Sequence, residues 1–151
     1  MCIVVFDGLC NFCSASVRFI LDNDVRGKIR FAAAQSEPGQ ALLEAHGLNP
    51  SDAESFLLIK DDKAYLRSDA ALEVAKDLGW WRWLRVFRIV PKGLRDWAYS
   101  VLARNRYAWF GKRDSCFVPS EEHRRRFLGD STVASKAISD ATSLRQSRIA
   151  Q

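Results

Sequence analysis

Two cysteines separated by two residues stand in the stretch Asp7-Gly8-Leu9-Cys10-Asn11-Phe12-Cys13, with a carboxylate just ahead of them. In the first turn of a helix, sulfurs at that spacing close a small disulfide with little backbone movement. A helix start presents unpaired N–H groups and the positive end of the macrodipole, which favour a sulfur as its thiolate. The thiolate is the attacking species in disulfide exchange. The spacing therefore points to a two-electron dithiol couple, a chemistry that needs no organic cofactor. Cys10, with its sulfur facing solvent and the helix N–H groups, is the expected nucleophile. Cys13, one turn on and more buried, is the expected resolving thiol.

Asp7 has two readings. As a strand-end carboxylate near Cys13 it could shuttle the proton that must leave a buried thiol. Alternatively, Asp7-Gly8 is a turn whose carboxylate binds nearby backbone N–H groups. Cys116, in Cys116-Phe117-Val118-Pro119, has three: a third redox cysteine, a metal ligand with Cys10 and Cys13, or a small packed residue. A zinc site would need a fourth ligand, His123 or His46, and lacks the second tight cysteine pair of strong zinc motifs, so no metal is expected. Cys2 is most simply strand packing.

The elements that must position this chemistry follow from periodicity. Cys2-Ile3-Val4-Val5-Phe6 has the bias of a buried strand, and Ser14 to Asp24 reads as a helix covered on most sides. Gly27 closes the connection to a second strand, Ile29 to Ala33. Ser36, Glu37 and Pro38 open a second helix that Gly47 stops. This order predicts a parallel strand pair with a right-handed crossover. Ser55 to Ile59, the turn Asp61-Asp62 and Ala64 to Arg67 form a β-hairpin. Ser68 is placed to N-cap a third helix ending near Leu78-Gly79. The sum is βαβαββα, an α/β four-stranded mixed sheet on the thioredoxin/glutaredoxin plan, and a CxxC beside a βαβ pattern is a redox cue.

Extra helices follow. In Trp80–Val90, Arg82, Arg85 and Arg88 share one side of a helix, and Trp80, Trp83, Leu84, Phe87 and Val90 the other. The expected arrangement packs the aromatic face on the domain and solvates the arginines; the alternative is a binding module that docks on a membrane surface or a membrane-protein partner through this helix. A further helix runs from Gly93 to about Asn105, and Arg104–Lys112 is too rich in arginine and aromatics for an ordinary connector. The expected domain spans 1–128, with a core to about 79 and a helical extension from 80; the Ser-, Ala- and Thr-rich stretch 129–151 reads as a disordered tail.

Composition sets the context. A chain of 151 residues that is 48% hydrophobic can bury one core. The net charge of +5 permits weak attraction to phosphates without requiring it, and nothing beyond charge points to nucleic acid. No apolar run approaches a bilayer span, and the N-terminal run is too short for a secretory signal. The expected location is the reducing cytoplasm, where four cysteines read as chemistry rather than as a disulfide framework.

The stretch from Asp7 to Cys13 resembles the signature of the DCC family of thiol–disulfide oxidoreductases, named for its Asp-Cys-Cys motif. The likeness continues in Ser68-Asp69-Ala70, in Pro91 followed by Leu94-Arg95-Asp96, and in Arg104-Asn105-Arg106-Tyr107. It ends in Phe110-Gly111-Lys112 and in Cys116 with Pro119, covering about Ile3 to Leu128. Phe6 stands where many members have tyrosine. The resemblance implies a thioredoxin-like fold, a dithiol at Cys10 and Cys13, and motif positions at Asp7, Arg104, Asn105, Arg106, Tyr107 and Cys116.

Thioredoxins also hold substrate peptides with a cis-proline opposite the CxxC. Here that position falls near Glu54-Ser55, and Pro50 is several residues too early. With Ser55 in the site wall, a small thiol joins a protein disulfide as an expected partner. Arg104 to Lys112 is the segment expected to complete that wall, with cations able to favour a thiolate or bind an anionic thiol. The competing reading has these arginines capping helices or pairing with acids such as Asp69 and Asp96.

Overall fold

In the computed structural model, which describes residues 2–49, 56–61, 63–115 and 117–129, the apolar run Cys2–Phe6 forms strand β1, buried at every position. Its side chains alternate between two cores. Cys2, Val4 and Phe6 pack with Val17, Ile20, Phe31 and Val74, while Ile3 and Val5 pack on the opposite face with Leu42, Leu43 and Leu57. Burial on both faces explains the unbroken apolar run, and each such side chain contributes about 1.5–3 kcal/mol.

β1 lies inside a four-stranded sheet of order β2-β1-β3-β4, with β2 at Ile29–Ala33, β3 at Leu57–Lys60 and β4 at Lys63–Leu66. β1 and β2 are parallel, with Cys2 opposite Ile29 and Phe6 opposite Ala33; β3 is antiparallel to β1 and to β4. The crossover between the parallel strands is helix α1, Asn11–Asn23. α2 spans Glu37–Ala45 and is capped by Ser36, whose hydroxyl oxygen accepts the Gly39 N–H at 3.2 Å. Gly39 touches the end of β2 so closely that a Cβ there would stand 1.9 Å from the Ala33 carbonyl oxygen. α2 ends at Gly47, whose φ of +73° suits glycine.

These features bear out the α/β, thioredoxin-like βαβαββα reading of the first half of the chain. The hairpin strands begin and end within two residues of the expected positions. Ser68, however, caps nothing. α3 (Arg67–Asp77) starts directly where β4 ends, with Leu66 in the N-cap position, and the Ser68 hydroxyl donates to Asp96 Oδ1 at 2.6 Å. A distant acid thus takes the hydroxyl that local pattern assigns to a cap.

Gly79–Ile89 is a 3-10 helix, not an α-helix. Three residues per turn align the arginines Arg82, Arg85 and Arg88 in one row, as expected, but split the aromatic face. Trp81, Leu84 and Val90 are half-buried against the domain, whereas Trp83, Val86 and Ile89 form an exposed apolar row. α4 then runs from Lys92 to Phe110, five residues past the expected end, stopping at Gly111 with φ +82°. Lys92 and Arg95 at its start pair with Asp69 of α3 at 2.8 and 3.2 Å.

Beyond α4 the chain returns across the sheet. Phe127 stacks on Phe31, the Leu128 N–H donates to the Phe31 carbonyl at 2.7 Å, and Arg126 pairs with the buried Asp24. This segment covers the open edge of β2. Most of the expected tail, from 130 onward, lies outside the described residues.

Candidate active site

Cys10 is the N-cap residue of α1. Its backbone is extended, and its Sγ accepts the Cys13 backbone N–H at 3.4 Å. The sulfur thus takes the place of a capping oxygen for one first-turn amide, while the Ser14 N–H goes to the Cys10 carbonyl at 2.9 Å. Cys13 follows one turn on, and its thiol is pushed up to about 12 from an ordinary value of 9.0. Burial is the largest cause; the Cys10 sulfur, as a neighbouring charge and as a hydrogen-bond partner, adds to it, while Arg106 opposes it.

Accessibility reverses the expected order. Cys10 is fully buried, at 0% exposure, whereas Cys13 is only half-buried. The cause is the chain leaving α4. Asn11 donates its backbone N–H to the Gly111 carbonyl at 3.5 Å and its side-chain amide to the Phe110 carbonyl at 2.9 Å. The Arg113 N–H reaches the Leu9 carbonyl at 2.7 Å, the Phe117 N–H reaches the Gly8 carbonyl at 3.0 Å, and Lys112 forms a β-bridge with Cys10. A strap about a hundred residues away in sequence thus roofs the strand-to-helix junction.

Asp7, 3% exposed, is enclosed by donors. Its Oδ1 accepts from the Leu9 N–H at 2.9 Å and the Gln35 side-chain amide at 2.7 Å. Its Oδ2 accepts from Arg106 Nη2 at 3.0 Å and from the Tyr107 hydroxyl. The turn reading of Asp7 is realised in the bond to Leu9, and the remaining bonds fasten the end of β1 to α4. Arg106 is itself 5% exposed, so the pair is a buried ion pair. Burial and the bond it donates to Asp7 raise the Tyr107 hydroxyl above the ordinary tyrosine range.

The motif positions on α4 do not act as a block. Arg106 and Tyr107 face Asp7, with the Arg106 guanidinium 4.8 Å from the centre of the Tyr107 ring and Lys112 Nζ 5.6 Å from it. Asn105 turns back to the Val101 carbonyl at 2.8 Å, and Arg104 is exposed. Of the acids named as alternative partners, Asp69 holds Lys92 and Arg95, and Asp96 accepts from Ser68; Arg106 pairs instead with Asp7. Ser55, with the neighbouring cis-proline position, and Cys116 lie outside the described residues, among which no cis peptide bond occurs. Cys2 is packed in the core, and burial pushes its thiol up to about 11.

Sequence reasoning missed Gln35, which donates to Asp7 and accepts the Gly8 N–H at 3.0 Å. The signal was present in the parallel pairing: with Phe6 opposite Ala33, the residues just past each strand end must be neighbours. It also missed the cavity beside Cys13, walled by α1, α3, the 3-10 helix and α4. Among the described residues, no three His, Cys, Asp or Glu side chains are grouped to hold a metal ion, and no helix is long and apolar enough to cross a membrane.

Comparison with known proteins adds the family. The family model described as DCC1-like thiol-disulfide oxidoreductase matches residues 4–112. The chain is 45% identical over 127 residues to the uncharacterized protein YuxK of Bacillus subtilis, covering 83% of this chain and 93% of that protein. It is 41% identical over 116 residues to a chloroplastic DCC family protein of Arabidopsis thaliana, covering 76% of this chain and 67% of the relative. No solved structure matches. The matched stretch holds Asp7, both cysteines of the pair, Arg106 and Tyr107, and the chain belongs to the DCC1-like thiol-disulfide oxidoreductase family.

Proposed function

We propose that the protein is a thiol–disulfide oxidoreductase in which Cys10 and Cys13 cycle between dithiol and disulfide. The observation that carries this reading is the Cys10 sulfur at the α1 N-cap, accepting the Cys13 amide one turn away. In the reducing direction, the Cys10 thiolate attacks a substrate disulfide, forming an S–S bond to one sulfur while the other leaves as a thiolate. Cys13 then attacks the Cys10 sulfur, closing the Cys10–Cys13 disulfide and expelling the second substrate thiolate. Two electrons pass to the substrate. Loss of the Cys10 charge in the mixed disulfide removes one of the causes that hold the Cys13 proton, so the resolving thiol is released at the step that needs it.

Asp7 serves here as a positioning residue. Its acceptor sites are taken by Leu9, Gln35, Arg106 and Tyr107, so the proton of Cys13 goes to the departing thiolate. Attack by Cys10 requires the Gly111–Arg113 strap to part from Leu9–Asn11. A location in the reducing cytoplasm fits this direction of electron flow. The test is turnover with a small aromatic disulfide and a reductant: Cys10→Ser abolishes it and Cys13→Ser accumulates a mixed disulfide, whereas normal turnover with Cys10→Ser refutes the assignment.

A second reading is favoured by the exposed row Trp83, Val86 and Ile89 beside the row Arg82, Arg85 and Arg88. An apolar row flanked by cations suits the surface of an anionic bilayer. Co-sedimentation with anionic vesicles, lost on replacing the three arginines by glutamine, supports docking; equal binding to neutral vesicles contradicts it.

A further inference from the structure

Between α1, α3, the 3-10 helix and α4 lies a cavity of about 460 Å³, a size within the range of small-molecule sites. Its walls are almost wholly apolar and include Phe56, Leu102 and the edge-to-face pair of Phe19 and Trp81, whose ring centres are 4.9 Å apart. Alanines at 75 and 103 leave the space that larger residues would fill. Polar groups border it at Cys13 and Ser16 from α1 and at Tyr99 and Arg106 from α4. The Ser16 hydroxyl is taken by the Phe12 carbonyl, and the Tyr99 hydroxyl bonds the Phe56 backbone.

Arg106 carries an unfinished hydrogen-bond account. Nη2 is engaged by Asp7 and Tyr107, but the buried Nε–H has no acceptor among the described residues. A buried N–H left without a partner is costly, and a ligand that brings an acceptor recovers the loss. The character of that acceptor follows from charge. The guanidinium is already matched by the Asp7 carboxylate at 3.0 Å, and a second anion beside it would be desolvated among aromatic side chains without that cation free to compensate it. A neutral oxygen fits better than a carboxylate.

We propose that this cavity binds a neutral amphipathic small molecule, its hydrocarbon part between the four helices and a carbonyl oxygen at Arg106 Nε–H, beside Cys13. Hydrocarbon burial supplies the affinity and the single acceptor sets the orientation. The site goes beyond the dithiol reading and stands apart from it: binding to the reduced protein involves no electron transfer, so either claim can fail while the other survives. If both hold, the occupant lies where it controls access to the half-buried cysteine of the pair.

The test uses the full chain, reduced, with ¹³C-labelled alanine methyls and 2-nonanone as the probe. The methyls of Ala75 and Ala103 shift saturably, while Ala32, on the opposite face of the sheet, stays in place. Nonanoate, of the same chain length with a charged head, binds at least about tenfold more weakly. Arg106→Lys, which keeps the cation for Asp7 but removes Nε–H, weakens the ketone by about tenfold. Ala103→Trp fills the space and abolishes the shifts at Ala75; the same spectra show whether that variant is folded, and Ala75→Leu provides a milder filling. Absence of saturable shifts, shifts at Ala32 equal to those at Ala75, or tighter binding of nonanoate would overturn the proposal.

Discussion

Arg106 Nη2 lies 3.0 Å from Asp7 Oδ2, a buried ion pair between residues 99 positions apart that ties the end of β1 to α4. Removing one partner strands the other in a low-dielectric site, which typically costs about 3–5 kcal/mol. Asp7→Ala therefore destabilises strongly in denaturant unfolding. Adding Arg106→Met to Asp7→Ala recovers a large part of that loss, because the uncompensated charge is gone. Equal stability of Asp7→Ala and the unaltered protein would show that the pair is not buried as described.

Cys13 reactivity carries a definite pH dependence. A thiol pushed up from 9.0 to about 12 has on the order of a thousandfold less thiolate than an ordinary cysteine at pH 8. Its alkylation by iodoacetamide is correspondingly slow in the reduced protein. Cys10→Ser removes the contribution of the neighbouring sulfur but leaves burial, so the Cys13 titration moves downward and stays above 9.0. Rate against pH, with the modified residue identified by peptide mass, reads both effects.

Stability falls at alkaline pH. In the folded state Cys2 and Cys13 hold their protons to about 11 and about 12, against 9.0 in an exposed chain. Above pH 9 the unfolded chain therefore binds fewer protons than the folded one, and unfolding free energy declines as pH rises. The decline begins near pH 9 and continues through the folded values; Cys2→Ala reduces it. Midpoints of urea unfolding between pH 8 and 12 measure it.

Much of this was readable locally. Two-sided burial of β1, the Ser36 cap and the Gly47 stop rest on neighbours within a few positions, so the order βαβαββα emerged from pattern alone. What failed depends on partners far along the chain. Ser68 looked like a cap because Asp96 is invisible to local reasoning. Local pattern ends the last long helix near Asn105, although nothing stops α4 before Gly111. Cys10 was expected at the surface because a CxxC at a helix start is exposed unless a remote segment covers it, and Gly111–Arg113 does. The pair itself was legible; its roof was not.

That roof is testable. The Asn11 side chain fastens the strap through the Phe110 carbonyl at 2.9 Å, and Gly111 leaves 3.1 Å between that amide and a Cβ built in its place. Asn11→Ala removes the bond without touching either sulfur. The expected result is a several-fold faster alkylation of Cys10 at fixed pH, since one hydrogen bond is worth about 0.5–1.5 kcal/mol. An unchanged rate would mean that the strap does not limit access.

As proposed, Cys10 and Cys13 form one reversible two-electron couple. Equilibrating the protein across a series of glutathione redox buffers, and counting free Cys10 and Cys13 by mass spectrometry after alkylation, tests it directly. Both thiols are expected to disappear together at one potential, with an intramolecular disulfide as the product and full return on reduction. Cysteines that stay free across the series, or that react independently as separate adducts with glutathione, would contradict it.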